Sequence, residues 1–138
     1  MSYAHSQTSG RSRQSRLQLR DVMHSQVAVI GVDTPLGEAA RRMRALNVLL
    51  LPVCDDSKLV GMIAARDLTL RATAEGLDPQ TNTVRELMTR PIICIDEDQD
   101  LRKAAAIMRH YNLFLLPVVN RQRDLVGMIY FNDVNRFL

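Results

Sequence analysis

The chain lacks the residues on which several classes of protein depend. It contains no tryptophan, only 4% aromatic residues and two cysteines among 138 residues. Two cysteines cannot form a disulfide framework, and Cys54 and Cys94 fall where the surrounding pattern predicts buried strand. We therefore interpret both as small core residues, and we expect a core of leucine, valine, isoleucine, alanine and methionine side chains.

Long apolar runs are absent as well. No run approaches the roughly 20 residues that a transmembrane helix needs. The N-terminus has no hydrophobic segment of the signal-peptide type. These absences predict a soluble, cytoplasmic protein without membrane contact.

Clusters of catalytic or metal-binding residues are also missing. His5, His24 and His110 are scattered along the chain, neither cysteine has metal-ligand spacing, and no glycine-rich phosphate loop occurs. The acidic groups at 55–56 and 96–98 are typical of turns and helix starts. The sequence therefore predicts neither an enzyme nor a metal site, and no resident cofactor.

The positive charge is concentrated at one end of the chain. The formal net charge is +3, but the first 20 residues contain Arg11, Arg13, Arg16 and Arg20 and no acid. Residues 1–16 are too polar to offset the entropy cost of ordering, so we predict a disordered basic tail. Such a tail is either simply solvated or makes a weak, salt-dependent contact with nucleic acid, and nucleic-acid binding is not the expected function.

A long internal duplication organises the rest of the sequence. The stretch LLLPVCDDSKLVGMIAARD, which ends at Asp67, returns as LLPVVNRQRDLVGMIYFND, which ends at Asp133. The two copies differ by one residue in the polar turn, where loops tolerate insertions. We therefore predict a tandem repeat with a first copy at 17–76, a linker at 77–83 and a second copy at 84–138.

Each copy has the hydrophobic pattern of a β-α-β-β-α unit. The first helix carries a predicted apolar stripe at three- and four-residue spacing: Leu36, Ala39, Ala40, Met43 and Leu46. The first copy is predicted to contain strands 27–32, 48–53 and 59–64, a helix started by Asp33-Thr34-Pro35, and a helix at 66–75 ended by Gly76. The second copy is predicted to contain strands 92–95, 114–119 and 125–130, a helix capped by Asp98, and a final helix at 133–138.

The duplicated pattern resembles a tandem CBS-domain pair. The resemblance rests on DVMHSQVAVIGVDTPLGEAARRM with LPVCDDSKLVGMIAARDL in the first copy, and on ELMTRPIICIDEDQDLRKAAAIM with LPVVNRQRDLVGMIYFNDV in the second. It covers about residues 18–138. The implied fold class is α+β, with two β-α-β-β-α repeats packed together with pseudo-two-fold symmetry.

The resemblance also implies a function. Proteins of this family typically bind adenine nucleotides or adenosyl ligands in clefts between the repeats, and many form dimers. Their terminal aspartate commonly holds the ribose hydroxyls, and this aspartate corresponds to Asp67 and Asp133. A serine or threonine three residues earlier commonly helps to hold phosphate, but this chain has Ala64 and Tyr130 there. The position that commonly helps to hold phosphate therefore departs from the family pattern in both copies.

Several neighbouring residues complete the predicted ligand set. Arg66 offers a cation and Asn132 neutral donors beside the aspartates, and the position before each first strand is occupied by His24 or Thr89. Four strand-end side chains are predicted to form apolar walls for an adenine: Val53, Ile63, Ile92 and Ile129.

Each assignment has a structural alternative. The aspartates can cap their helices, Arg66 can be solvated, Tyr130 can fill its cleft, and His24 can be a surface residue. The implied function is a regulatory module that senses an adenosine-containing metabolite, forms a homodimer and signals to a regulated partner protein. The alternative is a ligand-free dimerisation scaffold with degenerate clefts.

Overall fold

The computed structural model describes residues 17–90 and 92–137. The predicted tail at residues 1–16 lies outside the described residues. Among the residues described, no helix is both long and apolar enough to span a lipid bilayer.

The architecture is mixed α and β, as predicted, with two three-stranded sheets. The strands are β1 (Ile30–Gly31), β2 (Leu50–Asp55), β3 (Lys58–Ala64), β4 (Ile95–Asp96), β5 (Leu115–Val119) and β6 (Leu125–Tyr130). The helices are α1 (Leu19–Val22), α2 (Leu36–Leu46), α3 (Ala72–Glu75), α4 (Val84–Leu87), α5 (Leu101–Tyr111) and α6 (Phe131–Asn135), with a π-helical turn at Asp67–Arg71.

The two sheets have the same topology, because they derive from the same repeated pattern. The strand orders are β1-β2-β3 and β4-β5-β6. In each sheet the first two strands are parallel, with Ile30 opposite Val53 and Ile95 opposite Val118. A helix connects the two parallel strands, as such a crossover requires. The next strand of the first sheet returns antiparallel through the turn at 56–57.

The described chain divides into two compact units that do not coincide with the two sequence copies. The first unit comprises residues 28–92 and 123–125, and the second comprises residues up to 27, 93–122 and from 126 onward. Leu19 of α1 is fully buried in the core of the second unit, whereas Val84 and Leu87 of α4 are fully buried in the first. The segment before each first strand therefore packs with the sheet of the other copy.

Backbone pairing shows how each of these segments is held. In the second unit, His24 and Met128 exchange backbone hydrogen bonds of 2.8 and 2.9 Å. In the first unit, Thr89 and Met62 exchange an equivalent pair of 2.8 and 3.2 Å. Each segment thus adds a short bridge beside the last strand of its unit.

Several predicted element boundaries were wrong. The first strand of each copy is shorter than the predicted 27–32 and 92–95. Only Ile30–Gly31 and Ile95–Asp96 pair with a neighbouring strand. The final helix is Phe131–Asn135 rather than 133–138. In α2 the buried stripe contains Leu36, Ala39 and Met43, but Ala40 and Leu46 are exposed. The αL C-cap at Gly76 was predicted correctly.

Both predicted N-caps were also wrong. Helix α2 begins after Pro35 without any side-chain cap, and the Asp33 carboxylate instead accepts a 3.4 Å hydrogen bond from Arg85. Helix α5 is capped by Asp100, whose Oδ1 accepts a 2.9 Å hydrogen bond from the backbone N–H of Lys103. Asp98, the predicted cap, lies in the preceding turn.

Replacing Asp100 with alanine is expected to lower the free energy of unfolding by about 1 kcal/mol, because the Lys103 N–H loses its cap. The matched variant Asp98→Ala is expected to change stability by less than about 0.5 kcal/mol. Urea denaturation of both variants measures the difference. Equal effects of the two substitutions would show that capping by Asp100 contributes nothing specific.

Candidate functional site

The two predicted ribose aspartates occupy equivalent positions but have different partners. Each lies three residues after the last residue of a hairpin strand, in the first turn of the helical segment that follows. At this position a carboxylate can reach back to the backbone N–H that precedes the helix. Which partner each carboxylate takes therefore distinguishes a structural role from a ligand-binding role.

Asp67 uses both of its carboxylate oxygens within the first unit. Its Oδ2 accepts a 3.0 Å hydrogen bond from the backbone N–H of Ala64, and its Oδ1 lies 3.4 Å from Nη1 of Arg71. The same Nη1 donates a 3.0 Å hydrogen bond to the carbonyl of Leu87, which fixes the guanidinium. Only 15% of the Asp67 side chain is exposed. The Asp67 carboxylate therefore stabilises the start of its helical segment, which is the structural alternative to ribose binding.

Asp133 is more accessible and is bound by a side chain from a distant part of the sequence. Its Oδ2 lies 2.9 Å from Nε2 of His24, and its Oδ1 lies 4.0 Å from Nη2 of Arg136. The exposed fractions of the side chains are 28% for Asp133 and 56% for His24. The backbone pairing of His24 with Met128 positions the imidazole, while solvent reaches both groups.

Tyr130 completes this arrangement. Its ring meets the His24 ring edge to face, with centroids 5.2 Å apart and planes at 83°. Tyr130 is 41% exposed, so the ring is not buried as packing. The structure therefore brings together three of the predicted site residues, His24, Tyr130 and Asp133, in the second unit.

The other predicted residues are less closely associated. Thr89, Arg66 and Asn132 are exposed, and Ile92 is half-buried. Three of the four predicted adenine walls have no exposed surface and lie within the cores: Val53, Ile63 and Ile129. Their contact with a ligand stays a prediction, and it requires the cores to open.

A groove that the sequence patterns did not indicate lies beside Tyr130 in the second unit. It has a volume of about 570 Å³, and its walls are formed mainly by Arg109, Asn112, Phe114, Tyr130, Phe131 and Asn132. An equivalent but smaller groove of about 290 Å³ lies in the first unit, where Arg44, Asn47, Leu49 and Ala65 take the corresponding places. The clustering of phenylalanine and tyrosine after residue 110 was the sequence signal that could have located the larger groove.

The two cysteines are free thiols; Cys54 is a core residue as predicted, whereas Cys94 is only half-buried. Cys54 is buried, and desolvation raises the pKa of its thiol, which lowers its nucleophilicity at neutral pH. Within residues 17–90 and 92–137 no group of three or more histidine, cysteine, aspartate or glutamate side chains is arranged to hold a metal ion.

Comparison with known proteins identifies the pattern in both copies. The family model for the CBS domain matches residues 19–72 and 84–138. Hypoxic response protein 1 of Mycobacterium tuberculosis is 34% identical over 120 residues, which cover 86% of this chain and 83% of that protein. The CBS domain-containing protein YhcV of Bacillus subtilis is 34% identical over 116 residues, covering 84% and 81%.

Solved structures agree with the sequence relatives. The crystal structure of Hypoxic Response Protein I, described with two coordinated zinc ions, has a TM-score of 0.79 at 32% identity and covers 88% of this chain and 99% of that one. The CBS domain pair of MJ0100, solved in complex with 5′-methylthioadenosine and S-adenosyl-L-methionine, has a TM-score of 0.68 at 30% identity and covers 87% and 94%.

Proposed function

Because the chain belongs to the CBS-domain family, we propose that it is a regulatory module which binds an adenosine-containing metabolite and signals to a partner protein without catalysing a reaction. The similar domain pair of MJ0100 supports the ligand class, since it was solved with two adenosyl compounds. The observation that carries the proposal is the Asp133 carboxylate, which is partly exposed and is held by the more accessible His24.

The chemistry of ribose recognition fits Asp133. A carboxylate can accept hydrogen bonds from two adjacent hydroxyl groups, and such charge-assisted bonds are stronger than neutral ones. The His24 contact occupies one oxygen at 2.9 Å and is easily replaced, because more than half of the histidine side chain faces solvent. A ligand that supplies two hydroxyl groups would take the place of the imidazole, and His24 would then be free to contact another part of the ligand.

The first copy fits the same role less well. Both oxygens of Asp67 already have internal partners, and a ribose would have to break the bonds to Ala64 and Arg71. Arg66 is exposed and has no acidic partner within the described part of the chain, so a cation is available there for a phosphate. We therefore propose that the site around Asp133 has the higher affinity for the ribose.

The test is a binding panel with purified protein. Isothermal titration calorimetry and thermal shift with AMP, ADP, ATP, S-adenosylmethionine and 5′-methylthioadenosine should detect at least one ligand, because binding to the native state raises its melting temperature. The absence of binding by every compound, in monomer and dimer fractions alike, would refute the proposal. Comparison of the nucleotides with S-adenosylmethionine and 5′-methylthioadenosine, which carry no phosphate, would also show how much nucleotide affinity is lost without a Ser or Thr at positions 64 and 130.

A second candidate is a ligand-free homodimeric scaffold. It is favoured by three leucines of the first unit that are largely exposed: Leu46 at 45%, Leu49 at 76% and Leu70 at 56%. Contiguous exposed apolar surface commonly marks an interaction site, and Leu49, the most exposed of the three, lines the groove of the first unit. Under this proposal the binding panel is silent, and sedimentation equilibrium shows a stable dimer that Leu49→Lys converts to monomer.

A further inference from the structure

The contact between His24 and Asp133 joins a group that can change its charge near neutral pH to the carboxylate proposed to hold ribose. Nε2 of the imidazole lies 2.9 Å from Oδ2 of the aspartate. The histidine side chain is 56% exposed, so it exchanges protons freely with solvent. Histidine is the side chain whose charge ordinarily changes between about pH 5 and 8. The contact therefore exists in two forms, one neutral and one ionic.

The strength of the contact differs between these two forms. A neutral imidazole carries a single N–H and donates to Asp133 only in the tautomer with the hydrogen on Nε2, whereas an imidazolium donates from both nitrogens. The imidazolium also attracts the carboxylate by its charge, and charge-assisted hydrogen bonds are stronger than neutral ones. Asp133 is therefore held more tightly at acidic pH than at alkaline pH.

The position of the imidazole does not depend on its charge. The backbone of His24 exchanges hydrogen bonds of 2.8 and 2.9 Å with Met128 of β6, and neither bond involves the side chain. The ring also meets Tyr130 edge to face, with centroids 5.2 Å apart. These contacts keep the imidazole within reach of Asp133 in both protonation states, so protonation changes the strength of the contact more than its geometry.

The other ionisable groups around this contact do not supply a competing titration. Tyr130 faces the imidazole from β6, and Arg136 lies beside α6 with Nη2 4.0 Å from Oδ1 of Asp133. Tyrosine and arginine side chains do not ordinarily change charge between pH 6 and 8. On the segment of the histidine itself, the Asp21 carboxylate accepts a 2.9 Å hydrogen bond from the backbone N–H of Gln18. Among the described residues, Asp133 is the one carboxylate within ion-pair distance of the imidazole.

The first unit provides a comparison within the same chain. Thr89 occupies the equivalent bridge position, opposite Met62, and has no group that titrates. The aspartate of that unit, Asp67, is instead paired with Arg71 at 3.4 Å, and arginine stays protonated in proteins. The duplicated pattern thus places a titratable partner beside the aspartate of the second unit and a permanently charged one beside the aspartate of the first.

We propose that His24 is a built-in competitor of the ligand, and that its protonation makes the affinity of the site around Asp133 depend on pH. This regulation rests on the ribose contact proposed for Asp133. The ligand hydroxyl groups must displace the imidazole from Oδ2, and they displace the neutral form more easily than the charged form. An imidazolium that loses its carboxylate partner holds its proton less strongly. Because the coupling between two bound species is reciprocal, ligand binding releases protons and weakens as the pH falls.

5′-Methylthioadenosine tests the proposal, because it has both ribose hydroxyl groups but no phosphate and is uncharged between pH 6 and 8. In calorimetric titrations of the full chain, its affinity should fall roughly two- to fivefold from pH 8 to pH 6, the range expected for an exposed ion pair. Titrations at pH 6.5 in buffers of different ionisation enthalpy should show that a fraction of a proton is released.

Three histidine variants make the test specific. His24→Gln keeps a neutral N–H donor and should remove both the pH dependence and the proton release, with the affinity at pH 6 close to that of the parent at pH 8. His24→Thr, which installs the residue of the first copy, should also bind independently of pH. The control variant His110→Gln changes an exposed histidine of α5 and should keep the behaviour of the parent. Circular dichroism at both pH values verifies that each variant is folded.

Several results would overturn the proposal. These are an affinity of the parent that does not change with pH or that rises at pH 6, a pH dependence that persists in His24→Gln, and equal effects of His24→Gln and His110→Gln. Binding of a nucleotide without any binding of 5′-methylthioadenosine at pH 8 would overturn the competition by His24 and leave the proposed function standing. Absence of binding by every adenosyl compound at every pH would overturn both, so the two failures are distinguishable.

Discussion

Asparagine in place of Asp133 is expected to weaken binding of the adenosyl ligand by about tenfold or more. The substitution keeps the size of the side chain but removes the negative charge, and charge-assisted hydrogen bonds contribute about 1.5–3 kcal/mol. It also replaces one carboxylate oxygen by an amide group that donates instead of accepting. Calorimetric titration with the ligand found in the panel measures the change.

The matched variant Asp67→Asn separates ligand binding from stability. Asp67 supports the start of its helical segment through Ala64 and Arg71, so this substitution is expected to lower the free energy of unfolding by about 0.5–1 kcal/mol. Ligand affinity should change by less than about twofold in the ribose model proposed for Asp133. The opposite outcome, in which only Asp67→Asn loses affinity, would move the ribose contact to the first copy.

Gly127→Ala is expected to destabilise the second unit by about 1–3 kcal/mol, the usual cost of overpacking. A Cβ at Gly127 would lie 2.9 Å from Cγ of Met23, closer still to its Sδ, and 3.1 Å from the backbone oxygen of His24. The methionine can move, but the His24 carbonyl is held by its hydrogen bond to Met128. The added methyl group therefore pushes against the segment that carries His24.

Two comparisons make the Gly127 prediction specific. Gly31→Ala places a Cβ 3.6 Å from Oγ1 of Thr34, an ordinary contact, and should change stability much less. Met23→Ala combined with Gly127→Ala should lose less stability than the sum of the single variants, because the first substitution makes room for the second. Thermal and urea denaturation measure the stability of the three single variants and of the double variant. A Gly127→Ala protein as stable as the parent would show that the close approach is relieved without cost.

The order of elements could be predicted from the sequence because it depends on local periodicity. The stripe of Leu101, Ala104, Ala105 and Met108 is buried as its spacing indicates. Helix caps were harder, since the acidic run before α5 offers several candidates and only the residue with extended backbone geometry can serve. Asp100 has φ −91° and ψ 169°, and this conformation cannot be read from residue type.

The partners of the aspartates could not be predicted for a different reason. Asp67 and Asp133 lie at equivalent positions of the duplicated pattern, so the pattern predicts the same partners for both. Their difference arises because Thr89 and His24 occupy the equivalent bridge positions, and only the histidine reaches the carboxylate. His24 and Asp133 are 109 positions apart, a separation over which no sequence period carries information.

The exchange of segments between the two copies has a consequence for how the protein unfolds. The unit that was duplicated in the gene and the unit that holds together in the folded chain have different borders. The backbone amides of residues 19–24 should therefore have the hydrogen-exchange protection of β6. They should not have that of β2, although β2 is nearer to them in the sequence. Cutting the polypeptide in the predicted linker at 77–83 would then leave each fragment without a segment that packs with its sheet, so the two halves of the sequence should not fold independently.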